Sequence, residues 1–164
     1  MGLTEVSPMN NYRTNPGQSS DMKLVDVTNE NVLDYKSFEA CFSELSQFLS
    51  RIYPDSDKTA KWCYINVDNK NIGSIWLETV DSSAAKLGIF IADEEYRGKG
   101  YGTEAIKMLL TFAENNGYKN VLLNVRISNK RAFNVYSKLG FNEVKRYIKD
   151  NGVKVISMKK ELSI

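Results

Sequence analysis

Histidine does not occur among the 164 residues of this chain. Its absence removes the Ser-His-Asp and Cys-His nucleophile systems and the common histidine-based zinc sites, leaving acid–base work to Tyr, Glu, Asp, Lys, water or the substrate. Only 2 cysteines occur, Cys41 and Cys63. Two thiols do not make a disulfide framework, and both are expected to be free. No apolar run approaches the roughly 20 residues of a bilayer span, and the N-terminus lacks the basic-then-apolar layout of a signal peptide, so a cytoplasmic protein without membrane partners is expected. An excess of one charge is lacking too. With 22 basic and 20 acidic residues and a net charge of +2, no global field favours nucleic acid as a partner.

A hydrophobic content of 42% and a charged content of 26% are ordinary for a globular chain. Residues 1–20 are polar and aperiodic and carry 2 of the 3 prolines, Pro8 and Pro16. They are expected to form a flexible N-terminal leader before a single domain at 21–164. Residues 22–27 alternate as a first strand, and Thr28 with Asn31 makes a helix start. From 31 to 52 the apolar residues Leu33, Phe38, Cys41, Phe42, Leu45, Phe48, Leu49 and Ile52 recur at three- and four-residue steps, which predicts one broken or two consecutive helices ending at Tyr53-Pro54. Residues 62–67 and 72–80 read as a hairpin, followed by a strand at 87–92. Ala105, Ile106, Leu109, Leu110 and Ala113 form one apolar helix face that Gly117 stops. A short strand at 120–125, a helix at 129–138 and a final hairpin at 141–148 and 153–158 follow, with Asn151-Gly152 suited to a type I′ turn. The order predicts an α/β (α+β) chain with a mixed sheet flanked by helices.

The remainder of the chain is organised around residues 87–102. An apolar strand runs through Asp93-Glu94-Glu95 into Arg97-Gly98-Lys99-Gly100-Tyr101-Gly102 and then directly into a helix. A glycine-rich loop opening a helix is an anion cradle, because glycine permits positive φ and close approach while the first helical N–H groups and the dipole favour phosphate. The spacing does not match G-x-G-x-x-G, and Lys99 is followed by Gly100 rather than the Ser or Thr of a Walker loop. What remains is R-x-x-G-x-G after a strand, on Arg97, Gly100 and Gly102. Downstream, Asn129, Ala132, Tyr136, Gly140 and Phe141 stand in the spacing Asn-x-x-Ala-x-x-x-Tyr-x-x-x-Gly-Phe. In both segments, over 87 to about 158, the chain resembles the GNAT family of N-acetyltransferases, whose pyrophosphate loop is [Gln/Arg]-x-x-Gly-x-[Gly/Ala].

That resemblance implies a mostly antiparallel sheet of six to seven strands, about four flanking helices and a pair of central parallel strands that splay apart. It implies acetyl-CoA as cosubstrate, no metal, and transfer of acetyl to a primary amine of a small molecule or a protein, directly in a ternary complex, by a monomer or homodimer. The main chain from Arg97 to Gly102, including Gly98, Lys99, Gly100 and Tyr101, with Thr103 at the helix start, would hold the pyrophosphate. Phe90, Ile91 and Ala92, on a strand that is bulged in the family, would pair with the pantetheine arm, and one of their N–H groups would face the developing oxyanion. Asn129 would cap its helix and touch the pantetheine amides. Tyr136 would be the general acid for the departing thiolate.

The base is less defined. Relatives place a glutamate where this chain has Lys86 or Asn124, which leaves Glu78 as the central carboxylate, with a water chain as the other route. Tyr35, Phe48 and Tyr53 are further candidates for acceptor contacts. Lys130, Arg131, Lys145, Arg146 and Lys149 read as coenzyme phosphate contacts or as a solvated face. A different class of protein also fits, a non-catalytic acyl-CoA-binding or sensor module that keeps the cradle and lacks a base.

Overall fold

A computed structural model describes residues 21–163, and side chains outside 43–51. Seven strands form one sheet in the order β1-β2-β3-β4-β5-β7-β6. They are β1 (Met22–Asp26), β2 (Thr59–Val67), β3 (Lys70–Thr79), β4 (Ala84–Ile91), β5 (Asn120–Arg126), β6 (Asn142–Ile148) and β7 (Lys154–Glu161). Every neighbouring pair is antiparallel except β4 and β5, which are parallel. Three helical segments longer than one turn accompany the sheet among the described residues: a 3-10 segment at Val32–Ile52, α1 (Tyr101–Asn115) and α2 (Lys130–Lys138). The expected count of about four falls to three because the apolar stripe after Asn31 is continuous in one segment.

Each face of the sheet has its own core. On one, α1 buries Tyr101, Ala105, Ile106, Leu109, Leu110, Phe112 and Ala113 against Leu24, Ile65, Ile75, Leu77, Leu123 and Met158. Such a stripe, at about 1.5–3 kcal/mol for each large side chain taken from water, holds the helix in place. The opposite face is aromatic: Tyr35, Phe38 and Tyr64 are buried there, with Phe42, Tyr53, Trp62 and Phe90 packed around them. The Tyr35 ring lies 4.8 Å from Trp62 and 5.1 Å from both Phe38 and Tyr53, within the range of favourable edge-to-face packing.

Turn chemistry departs from expectation at one hairpin. Asp68 and Asn69 take φ of 49° and 69° between β2 and β3, the double positive φ that a type I′ turn needs. Asn151-Gly152 does not form one. Only Gly152 has positive φ, 84°, and Lys149 N–H reaches the Val153 carbonyl at 2.9 Å to close a three-residue loop. The Asn151 side chain accepts from Val153 N–H at 3.0 Å instead of adopting the left-handed conformation, a local bond that Asn makes readily.

Candidate active site

The site begins where two strands part. β4 and β5 pair only over Ala84–Lys86 and Asn120–Leu122, although β4 continues to Ile91 and β5 to Arg126. On its other edge β4 stays in register with β3 from Ala85 to Ile91 with no shift. The bulge expected before the loop is therefore absent, and the gap opens where the β4–β5 pairing ends. Gly88 is required beside it, since a Cβ there would lie 2.3 Å from the Trp76 ring.

Alternation along β4 then decides which main-chain groups face the gap. Val80 N–H donates to Ala84 and Ala92 N–H to Ile72, both at 2.8 Å. Residues of that parity, Phe90 included, therefore bond toward β3. Leu87, Ile89 and Ile91 turn their N–H and C=O toward the gap. Of the three residues expected to supply a donor there, Phe90 and Ala92 are thus committed elsewhere, and Ile91 and its neighbour Ile89 are positioned for it. Phe90 instead sends its ring into the aromatic core, 5.2 Å from Phe38 and 5.5 Å from Phe42.

Two cavities open into this gap. The larger, about 650 Å³, runs between the glycine loop and α2 and includes Phe90, Ile91, Arg97, Gly98, Gly100, Gly102, Thr103 and Arg131 in its walls. A smaller one, about 440 Å³, includes Tyr53, Trp76, Glu78, Lys86, Asn124, Arg126 and Lys149. Ile89, Asn129 and Tyr136 line both. The cavities therefore meet at these three residues.

The loop is built as an anion cradle. Asp93 accepts from Glu95 N–H at 3.0 Å and pairs with Lys70 at 2.9 Å, which fixes the exit from β4. Gly98 and Gly100 take φ of 74° and 91°, and Gly100 is the N-cap of α1. A helix leaves its first N–H groups without intrahelical acceptors, so Tyr101, Gly102 and Thr103 present theirs at the loop. Nothing lies within 4 Å of where a Gly100 Cβ would stand. The Arg131 guanidinium lies over Gly98, 2.1 Å from the position of a Cβ there. Together these residues fit a pyrophosphate. The Arg97 side chain does not reach outward for it, since its Nε donates to the Ile91 carbonyl at 2.9 Å. Tyr101 contributes only main chain, its ring being buried in the core 6.0 Å from Tyr96. Lys99 lies in neither wall.

Asn129 accepts from Ala132 N–H at 3.1 Å and so caps α2. Two turns on, Tyr136 packs 6.0 Å from Phe141. Burial pushes its phenol up to about 12, so the hydroxyl stays protonated. Among the described residues Glu78 is the only carboxylate in the wall of the smaller cavity, and its Oε2 accepts from Asp55 N–H at 2.7 Å. Opposite it across the strands stands Lys86.

Of the other expected acceptor contacts, Tyr53 is in the wall, with its hydroxyl donating to Glu39 at 2.5 Å. Tyr35 is core: it is fully buried and its hydroxyl donates to the Ile52 carbonyl. The Phe48 side chain lies outside the described residues. Among the basic candidates, Arg131 and Lys149 reach the cavities, whereas Arg146 pairs with Glu143 at 2.7 Å and Lys145 lies over the Tyr147 ring on the edge strand. Lys130 is exposed and lies in neither wall. Cys63 is fully buried, and that burial pushes its thiol up; Cys41 is exposed, and neither is in a cavity wall. Among the described residues no cluster of metal-ligating side chains occurs, and no helix is long and apolar enough to cross a membrane. Ile89, Trp76 and Arg126 were not singled out by sequence. The strand alternation could have offered Ile89, but only the pairing edge fixes its direction.

A splayed parallel pair, a glycine cradle on a helix N-terminus and an Asn-Tyr helix define an acetyltransferase architecture, and the family model of the Acetyltransferase (GNAT) domain matches residues 16–142. The chain belongs to the GNAT acetyltransferase family. It is similar to the uncharacterized N-acetyltransferase YobR of Bacillus subtilis, 31% identical over 80 residues, which are 49% of this chain and 32% of that protein. The match thus spans about a third of the relative's length. Among solved structures it resembles the ribosomal-protein-S18-alanine N-acetyltransferase of Escherichia coli, with TM-score 0.69 and 22% identity over 87% of this chain and 95% of that one. A GNAT acetyltransferase of Elizabethkingia anophelis with acetyl-CoA bound is similar at TM-score 0.68 and 15% identity, covering 86% and 98%. Identities this low speak for the shared fold.

Proposed function

We propose that the chain is an acetyl-CoA-dependent N-acetyltransferase that moves the acetyl group directly to a primary amine in a ternary complex. The observation that carries this reading is the meeting of two cavities at Ile89, Asn129 and Tyr136 inside the β4–β5 gap. Coenzyme lies in the larger one, its pyrophosphate on the N–H groups of residues 101–103 and on Arg131, and its pantetheine arm along the main chain of Ile89 and Ile91 in place of β5. The amine enters through the smaller.

Acetyl-CoA supplies a thioester whose carbonyl must be polarised and whose thiolate must be protonated on departure. The N–H of Ile89 or Ile91 polarises the carbonyl. Tyr136 gives its proton to the sulfur. A thiol of pKa near ~8.5 is a stronger acid than this phenol in water, but the burial that raises the phenol raises a thiolate in the same dry gap in the same direction. A primary ammonium, pKa near ~10.4, must lose its proton before attack, and Glu78 receives it, directly or through water. No acyl-enzyme forms, consistent with both thiols lying outside the cavity walls.

The test is release of free thiol from acetyl-CoA by the purified full chain with a panel of polyamine, aminoglycoside, amino-acid and N-terminal peptide amines. Tyr136→Phe lowers kcat about 100-fold, the scale of a lost general acid, while coenzyme affinity by calorimetry is little changed. Equal loss of both assigns Tyr136 to structure alone. Coenzyme binding with no thiol release from any amine favours the second reading, an acyl-CoA-binding module, to which the hydrogen bond tying Glu78 to Asp55 N–H lends support.

A further inference from the structure

The wall of the smaller cavity holds a primary amine that belongs to the chain itself. Lys86 lies there with Gly88, Ile89, Asn129 and Tyr136. It is exposed between the buried Ala85 and Leu87, so alternation along β4 turns its side chain away from the α1 core and into the cavity. Among the described residues no carboxylate pairs with its ammonium. Glu78 stands directly opposite on β3, and the Cβ atoms of directly opposed strand residues are about 5 Å apart.

Reach decides what this amine can touch. Lys86 is the last residue of β4 paired with β5, so the gap opens immediately beyond it. Ile89, whose N–H faces the gap, follows about 10 Å further along the strand at ~3.3 Å per residue. Lysine carries its nitrogen on a four-carbon stem, about 6 Å from Cα. A carbonyl accepting from the Ile89 N–H stands about 3 Å off that nitrogen, which closes most of the remaining distance. The one residue between them on the same face of β4 is Gly88, and the Trp76 ring lies where its Cβ would be. That ring gives the methylene stem an apolar floor toward the gap.

The function proposed above places the thioester, the Ile89 N–H, Tyr136 and Glu78 around this point. On that reading, we infer that Lys86 is a site of self-acetylation, its ε-amine taking the acetyl group from coenzyme bound to the same chain. The Lys86 ammonium passes a proton to Glu78, and the freed Nζ lone pair attacks the thioester carbon. The C–S bond breaks, an amide forms on Lys86, and the departing thiolate takes the Tyr136 proton. Proton exchange with water restores Glu78 and Tyr136, and coenzyme leaves as the free thiol. The amide is an end product rather than an acyl-enzyme on the way to another amine. It leaves an uncharged, longer side chain in the cavity through which the amine enters.

The experiment incubates the purified full chain with saturating acetyl-CoA and no added amine, and follows acetyl incorporation by intact mass and peptide mapping. Lys119, exposed and in neither cavity wall, reports direct chemical acetylation. Lys86 is expected to react at least about tenfold faster than Lys119, a small part of what holding two reactants together gains, at a first-order rate unchanged by dilution of the protein. Tyr136→Phe is expected to slow the reaction at Lys86 about 100-fold and to leave that at Lys119 as it was. Lys86→Arg, or Lys86→Gln if the arginine variant does not fold, removes the fast addition from the intact mass. Reaction at Lys86 no faster than at Lys119, a rate that falls on dilution, or a rate indifferent to Tyr136→Phe overturns the inference, and thiol release to added amines in the same preparation then leaves acetyltransfer standing. No thiol release with any amine and no acetyl group on Lys86 overturns acetyltransfer itself.

Discussion

β5 has two edges that behave differently. Along β7 it is paired from Asn120 to Arg126 without a shift, while along β4 the pairing ends at Leu122. Both neighbours offer enough strand to continue. The closed edge completes a core, with Val121, Leu123 and Val125 all buried, and the open edge presents main-chain groups to a cavity. The lesson is that a sheet can hold open a gap between two strands when the ladders on either side carry the stability.

The supporting ladders can be broken first, at the β1–β2 edge away from the gap. Lys61 and Asp26 form an ion pair of 2.5 Å between β1 and β2, with Lys61 fully buried and 5.5 Å from the Phe112 ring. Lys61→Ala strips the Asp26 carboxylate of its ammonium in a dry setting and is expected to cost about 3–5 kcal/mol. Denaturant unfolding measures this, and coenzyme affinity of the folded fraction stays as before. A large loss of affinity at unchanged stability would show that the two halves are not separable.

Gly100→Val acts on the open side. At φ 91° a β-branched residue is strained, and no atom lies within 4 Å to clash, so the effect reads backbone conformation alone. Coenzyme affinity is expected to fall about tenfold, ~1.4 kcal/mol, as measured by calorimetric titration. Unchanged affinity would remove the cradle from the site.

The smallest effect is expected at α2, where every residue keeps some exposure to solvent and Tyr136 is half-buried. Asn129→Ala removes the bond to Ala132 N–H and costs about 1 kcal/mol of helix stability. Because Asn129 lines both cavities, KM for coenzyme rises as well. A stability change with constant KM would confine Asn129 to capping.

Local rules made most of the elements legible. Apolar spacing gave α1 and the stripe of Val32–Ile52, and the glycine and asparagine signals marked the helix ends at Gly117 and Asn129. The conformation of the loop at 97–102 was readable because glycine positions encode positive φ directly, as Gly98 and Gly100 show. Errors came where distant residues decide. Asn151-Gly152 carries a type I′ signature, but the longer loop let the Asn side chain bond to Val153 instead. Tyr35 and Tyr53 were alike in sequence, and packing sent one into the aromatic core and the other to the cavity wall.

By itself the sequence determined a glycine cradle opening a helix, an Asn-capped helix bearing Tyr136, and strands enough for a sheet, since each follows from side-chain period or backbone freedom within a few residues. Only the tertiary structure decided where β5 leaves β4, which N–H groups of β4 face the gap, and that Lys86, Arg126 and Lys149 share one cavity with Glu78. Those depend on pairing between separate segments, Ala84 with Asn120 and Asn120 with Glu161 among them, and on the register of β3 with β4, and no local pattern carries such a register.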